Sequence, residues 1–159
     1  MPRLSVVTPV FNPGDYLERC LDSVAALGVD YEHVVVDGGS TDGTVELLES
    51  RDDARLRWVS EPDRGQTHAV NKGLAMARGD LMMWVNGDDE VIPDGVRAAI
   101  EHLDRDPPVQ VVYGGLDFMD ADGVVRREYR PAAWSWLRRP RRCGPSWSPR
   151  RCRPTSQMR

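Results

Sequence analysis

The sequence predicts an α/β protein: an open, mostly parallel sheet with helices on both faces. Three observations predict it. Strand-like and helix-like patterns alternate from residue 4 to about residue 112, an order that makes successive strands parallel and lays the helices across the sheet. The strands run into polar or glycine-rich turns, at Phe11-Asn12, at Asp37-Gly38-Gly39 and at Asn86-Gly87-Asp88-Asp89. The apolar run Leu81-Met82-Met83-Trp84-Val85 reads as a strand covered on both faces.

Arg3 to Asn12 reads as a first strand breaking into a polar loop. Leu17, Cys20, Leu21, Val24 and Leu27 then recur at helical spacing, and Gly28 is placed to end that helix. A second strand, Tyr31 to Asp37, gives way to the small-residue turn Gly38-Gly39-Ser40-Thr41-Asp42-Gly43-Thr44. Ser40 or Thr41 is placed to cap a helix carrying Val45, Leu47 and Leu48. Arg55 to Val59 alternates as a third strand. The helix from about Gln66 to Arg78 buries Ala69, Val70, Leu74 and Ala77 and stops near Gly79. After the apolar strand, Pro93 opens a helix presenting Val96, Ala99, Ile100 and Leu103. Val109 to Tyr113 is a further strand, ended by Gly114-Gly115. Asp120-Ala121-Asp122-Gly123 has the composition of a hairpin turn between Leu116–Met119 and Val124–Tyr129, so Asp117, Asp120 and Asp122 are assigned to that hairpin rather than to catalysis.

A chain of 159 residues with 40% hydrophobic and 29% charged residues fits one soluble globular domain. No apolar run approaches the roughly 20 residues needed to span a bilayer, and the N-terminus lacks the features of a secretory signal. Cys20, Cys143 and Cys152 show no metal-ligand spacing, and their odd number argues against a disulfide framework. The expected setting is the cytoplasm, with peripheral contact at the inner membrane face as a further option. The net charge of −4 conceals a division: residues 1–125 sum to −14, whereas residues 126–159 hold 11 Arg against Glu128 alone and sum to +10.

Adjacent carboxylates at the carboxyl end of a buried strand lie where open α/β sheets bind ligands. Two like charges that close repel unless a cation or hydrogen-bond donors compensate them. A divalent metal carrying a phosphorylated ligand would do so, as would a solvated Asp-Asp-Glu turn ahead of Pro93. The other strand ends tip the balance. In order along the chain, Thr8-Pro9-Val10-Phe11-Asn12, Asp37-Gly38-Gly39-Ser40-Thr41-Asp42-Gly43-Thr44, Glu61-Pro62-Asp63-Arg64-Gly65-Gln66 with Asn71-Lys72-Gly73, Asn86-Gly87-Asp88-Asp89 and Tyr113-Gly114-Gly115 together resemble the family-2 glycosyltransferases of the GT-A fold. The likeness runs from about Leu4 to about Gly123.

That resemblance implies a GT-A nucleotide-sugar-binding domain over residues 1–133, with the acceptor-side half incomplete. It implies a metal-dependent, inverting transfer of a sugar from a UDP- or dTDP-type donor to a saccharide or lipid-linked acceptor. Asp37 is similar to the family carboxylate that hydrogen-bonds the nucleotide base, and an acceptor-only group there favours uridine or thymidine over adenine; a turn Asp is the alternative. Thr8, Pro9 and Phe11 resemble the loop lining the base pocket, with a plain strand-end turn as the alternative, and Gly39 beside Gly38 would let the backbone approach the ligand or simply permit a turn. Asp63 and Arg64 look like the loop facing ribose and diphosphate, where Arg64 is either a phosphate donor or a surface charge. Lys72 either approaches the nucleotide or is solvated. His68 reads as a helix-surface or packing residue. Asp88 and Asp89 would contact ribose and ligate Mn²⁺ or Mg²⁺, as hard oxygen donors suit those ions. The family often has Asp where Asn86 stands, which should weaken the metal's hold.

From about Trp134 the pattern changes, and Arg, Pro, Ser and Trp dominate residues 134–159. The family's acceptor-side segment with its catalytic base is not found there, so the catalytic base is unassigned. The tail is read as out-of-frame translation beginning near residues 138–145, or else as a disordered basic tail. Two other functions stay open: a nucleotide-diphosphate-binding module without turnover, and a nucleic-acid binder in which Trp134, Trp136 and Trp147 stack on bases among arginines. No nucleic-acid partner is expected.

Overall fold

The computed structural model describes residues 1–106, 109–130 and 137–138. The calls on the segment from residue 134, its frame and its three tryptophans, fall outside the described residues apart from that last pair. Two compact units form, one of Met1–Ile100 and one beginning at Glu101.

The first unit is a parallel sheet of β1 (Leu4–Val10), β2 (Tyr31–Asp37), β3 (Leu56–Ser60) and β4 (Leu81–Trp84), in the order β3-β2-β1-β4. Leu4 sits opposite both Tyr31 and Leu81, and His33 opposite Leu56, so all four strands point the same way. The helices α1 (Tyr16–Ala25), α2 (Thr44–Ser50), α3 (Gln66–Met76) and α4 (Pro93–Arg105) alternate with them.

Strand alternation sorts the core into two layers. Leu4, Val6 and Val10 of β1 and Tyr31 and Val35 of β2 face one side. There they pack with Leu17, Cys20, Leu21 and Val24 of α1, Leu48 of α2, and Val96 and Ile100 of α4. Val7, Val34 and Val36 face the other side and pack against Ala69 and Leu74 of α3. Every residue of β1 and β2 is buried, as expected of central parallel strands.

Two expectations are corrected here. Among the described residues β4 is covered on one face only: Leu81 and Met83 turn into the core, while Met82 and Trp84 are each 55% exposed. It is the last strand of its sheet, and α3 lies over β1 and β2. The second helix starts at Thr44, later than a Ser40 or Thr41 cap requires. Ser40 and Thr41 are engaged elsewhere, and Asp42 takes the Thr44 N–H and hydroxyl instead.

In the second unit β5 (Val109–Val111) pairs antiparallel with β8 (Leu137–Arg138), and β6 (Leu116–Met119) with β7 (Val125–Tyr129). The β6–β7 turn is closed by Asp120, whose carboxylate accepts the N–H groups of Asp122 and Val124 and pairs with Arg126.

Candidate functional site

In an open α/β sheet the ligand crevice lies beyond the strands' carboxyl ends, where the order reverses. Here that point is β1: the chain moves outward through β2 and β3, then crosses back to place β4 on the other side of β1. A cleft of about 970 Å³ opens there. Its walls are Pro9 to Pro13 at the end of β1 and just beyond it, Gly38 after β2, Pro62, Asp63 and Gly65 ahead of α3, Gln66 at its start, and Asn86 to Asp88 after β4. Tyr16 of α1 also lines it, with no sequence signal beyond its place at a helix start.

The loops are cross-tied. Asn12 takes a left-handed backbone (φ 48°); its N–H donates to Ser40 Oγ at 2.7 Å and its Oδ1 accepts the Thr41 N–H at 2.8 Å. The Gly14 N–H donates to Asp42 Oδ2 at 2.8 Å. The Asp42 carboxyl is held below its ordinary range, chiefly by the Thr44 hydroxyl. Asp37 is fully buried, and its carboxylate accepts from the N–H groups of Gly39 and Ser40 and the hydroxyls of Ser40 and Ser60. Both oxygens are thereby engaged: Oδ2 by the Gly39 N–H, the Ser40 N–H and the Ser60 hydroxyl, and Oδ1 by the Ser40 hydroxyl and the shared Ser40 N–H.

At the end of β4 the Asn86 side chain is fixed on both sides. Gln66 Nε2 and Trp84 Nε1 donate to its Oδ1 at 2.8 and 3.0 Å, and its Nδ2 donates to Asp89 Oδ2 at 2.9 Å. Asp88 is exposed and lines the cleft, whereas Asp89 is held back by Asn86. Behind this turn the buried Cys20 thiol donates to the Asn86 carbonyl at 3.4 Å. Burial, reinforced by the carboxylates of Asp88 to Glu90, pushes that thiol up to about 12.

Of the residues singled out from sequence, Pro9, Phe11, Asp63 and Asp88 line the cleft. Thr8 lies under it, buried, sharing a 2.9 Å hydrogen bond with His33 Nε2. Gly39 faces Pro62, and its N–H is taken by Asp37. Arg64 is exposed on the loop ahead of α3. Lys72 Nζ stands 2.5 Å from Glu61 Oε1 and holds the Glu61 carboxyl below its ordinary range. Gly73, beside it, is the contact residue: a Cβ there would lie 2.3 Å from Val7 Cγ1, so only glycine lets α3 come this close to β1.

Among the described residues no three His, Cys, Asp or Glu side chains gather as a metal cage. Asp88, with Asp89 next to it, is a donor set suited to an ion that takes one or two protein carboxylates and completes its shell with phosphate oxygens and water.

A sequence profile described as Glycosyl transferase family 2 matches residues 5–149. An uncharacterized glycosyltransferase of Mycobacterium tuberculosis is 40% identical over 120 residues, covering 73% of this chain and 46% of that protein, so the chain spans a little under half the relative's length. Among solved structures, a mannosyltransferase from Pyrobaculum calidifontis in complex with GDP-Man and Mn²⁺ superposes with a TM-score of 0.61 at 31% identity, over 73% of this chain and 35% of that one. S. aureus TarS in complex with UDP-GlcNAc gives 0.60 at 28% identity, over 65% of this chain and 31% of that one.

Proposed function

The chain belongs to glycosyl transferase family 2, and on that footing we propose that it forms the donor side of a metal-dependent enzyme moving a sugar from a nucleoside diphosphate to a saccharide or lipid-linked acceptor. The observation that carries the reading is the cleft at the sheet's switch point, where Phe11, Asp63 and Asp88 meet from three different strand ends. Phe11 offers an aromatic face for a base, being 66% exposed. Asp88 faces the same cleft and would hold Mn²⁺ or Mg²⁺, with Asp89 as the second carboxylate. The ion would neutralise the charge that grows on the diphosphate as the sugar leaves. The Asn86 network fixes the backbone that carries Asp88 (Gln66 from α3, Trp84 from β4), so the carboxylate is presented on a prearranged turn. A single displacement by the acceptor hydroxyl would invert the anomeric carbon.

The donor's base is the finer question. UDP or dTDP follows from a carboxylate that accepts a ring N–H. Guanine carries such a proton too, and the P. calidifontis relative was solved with GDP-Man.

The test is a thermal-shift titration of the purified chain with UDP, dTDP, GDP and ADP, each with and without Mn²⁺. A ligand that binds only the folded state adds about 2.7 kcal/mol at a hundredfold excess over Kd. A Mn²⁺-dependent rise with one of the first three, lost in Asp88→Ala, is the expected result. A cooperative melt that no nucleotide moves would refute the donor site. Release of UDP, dTDP or GDP from the matching nucleotide sugar then separates an enzyme from a binding module without turnover.

A further inference from the structure

We infer that Asp63, not Asp37, is the carboxylate that reads the donor's base, by accepting a hydrogen bond from a protonated ring nitrogen. The inference rests on the cleft being a nucleotide site.

Asp37 is already engaged on both oxygens by its own turn and by Ser60. It is fully buried, and its two oxygens already accept from two backbone N–H groups and two hydroxyls. A base N–H could reach it only by displacing one of those part-buried donors, at the cost of a hydrogen bond that already closes the turn.

Asp63 is the opposite case. It lines the cleft, and Oδ1 is anchored by the Gly65 N–H at 2.6 Å, which fixes the carboxylate's orientation. Oδ2 has no donor among the described residues. The residue beneath it explains how it reaches the base wall. A Cβ on Gly38 would stand 2.9 Å from Asp63 Oδ2, 3.2 Å from its Cγ and 3.3 Å from Phe11 Cδ2. Position 38 is therefore empty because a carboxylate and an aromatic ring from two other loops converge over it. A planar face for stacking beside a fixed acceptor at its edge is the pairing that recognises an unstacked base.

The chemistry sets the selectivity. An ionised carboxylate can only accept. Uracil and thymine at N3, and guanine at N1, offer a proton. Adenine N1 and cytosine N3 present lone pairs and repel it.

The experiment is calorimetric titration of the full chain, with Mn²⁺, against UDP and its N3-methylated analogue. The wild type is expected to bind UDP about tenfold or more tightly than 3-methyl-UDP, the discrimination a charged hydrogen bond supplies. In Asp63→Asn that ratio should fall to near one, and Asp63→Ser, whose hydroxyl also accepts the Gly65 N–H, should agree. A wild type that binds both ligands equally overturns the inference, as does a folded Asp63 variant that keeps the wild-type ratio. Should the wild type bind GDP and not UDP, the same ratio is read with GDP against its N1-methylated analogue. A wild type that melts cooperatively and binds none of UDP, dTDP and GDP refutes the nucleotide site itself, and this inference falls with it.

Discussion

The Ser60 hydroxyl donates to Asp37 Oδ2 at 2.5 Å, joining the last residue of β3 to the last residue of β2. Asp37 then gathers the Gly39-Ser40 turn onto the same carboxylate, and Ser40 passes the tie on to Asn12 after β1. One buried side chain thus holds three strand ends in register around the cleft.

Asp37→Ala should therefore act on stability. It leaves four donors without their acceptor, at a cost of about 3 kcal/mol, whereas Ser60→Ala, removing one of them, should cost about 1 kcal/mol. Urea denaturation of the three proteins measures both.

Gly73→Ala should destabilise the chain by about 1–3 kcal/mol through overpacking. The added methyl meets Val7 at 2.3 Å and Val36 at 3.3 Å, and both sit in the closed layer under α3. Pairing it with Val7→Ala opens space for the methyl, so a double-mutant cycle should show clear non-additivity.

Stability should fall between neutral pH and about pH 4. Burial drives the His33 imidazole down from 6.5 to about 4, so on acidification the unfolded chain takes up its proton first. The contribution is complete above pH 6.5, declines as pH drops towards 4, and amounts to about 3 kcal/mol. Glu32 adds to the decline lower down. Burial alone would raise its carboxyl, but hydrogen bonds from Ser5, Arg57 and the Arg78 N–H hold it below its ordinary 4.5. Melting His33→Gln and wild type from pH 7 to pH 4 isolates the imidazole: the variant's curve should be flatter above pH 4.5.

Cys20 should resist thiol reagents until the chain unfolds. It is fully buried and its thiol is pushed up to about 12, so almost none is thiolate near neutrality. In a Cys143→Ser, Cys152→Ser background, labelling at pH 8 should track global unfolding by urea.

The sheet and the position of the cleft were legible because each strand announces its carboxyl end with a polar or glycine turn, and strand-helix alternation dictates parallel order. Pro9, Phe11, Asp63 and Asp88 were legible as parts of those turns. Three things were not. A buried carboxylate saturated by its own turn has the same sequence as one facing a ligand, so the engagement of Asp37 became visible only in three dimensions. The bare face of β4 could not be read from Leu81 to Val85, because apolar residues do not record which side a helix covers. The Lys72-to-Glu61 pair links the loop after β3 to α3 within one short segment, but no helical or strand period spans both residues to mark it.

The tie from Trp84 to Asn86 makes the indole an optical gauge of the cleft. Its ring is half in solvent, and its N–H shares Asn86 Oδ1 with Gln66 while Asn86 Nδ2 restrains Asp89. Any ion that draws Asp88 and Asp89 together changes the polarity at that indole N–H. Emission from Trp84, taken as the difference between wild type and Trp84→Phe, would then follow the occupancy of the cleft with no label attached.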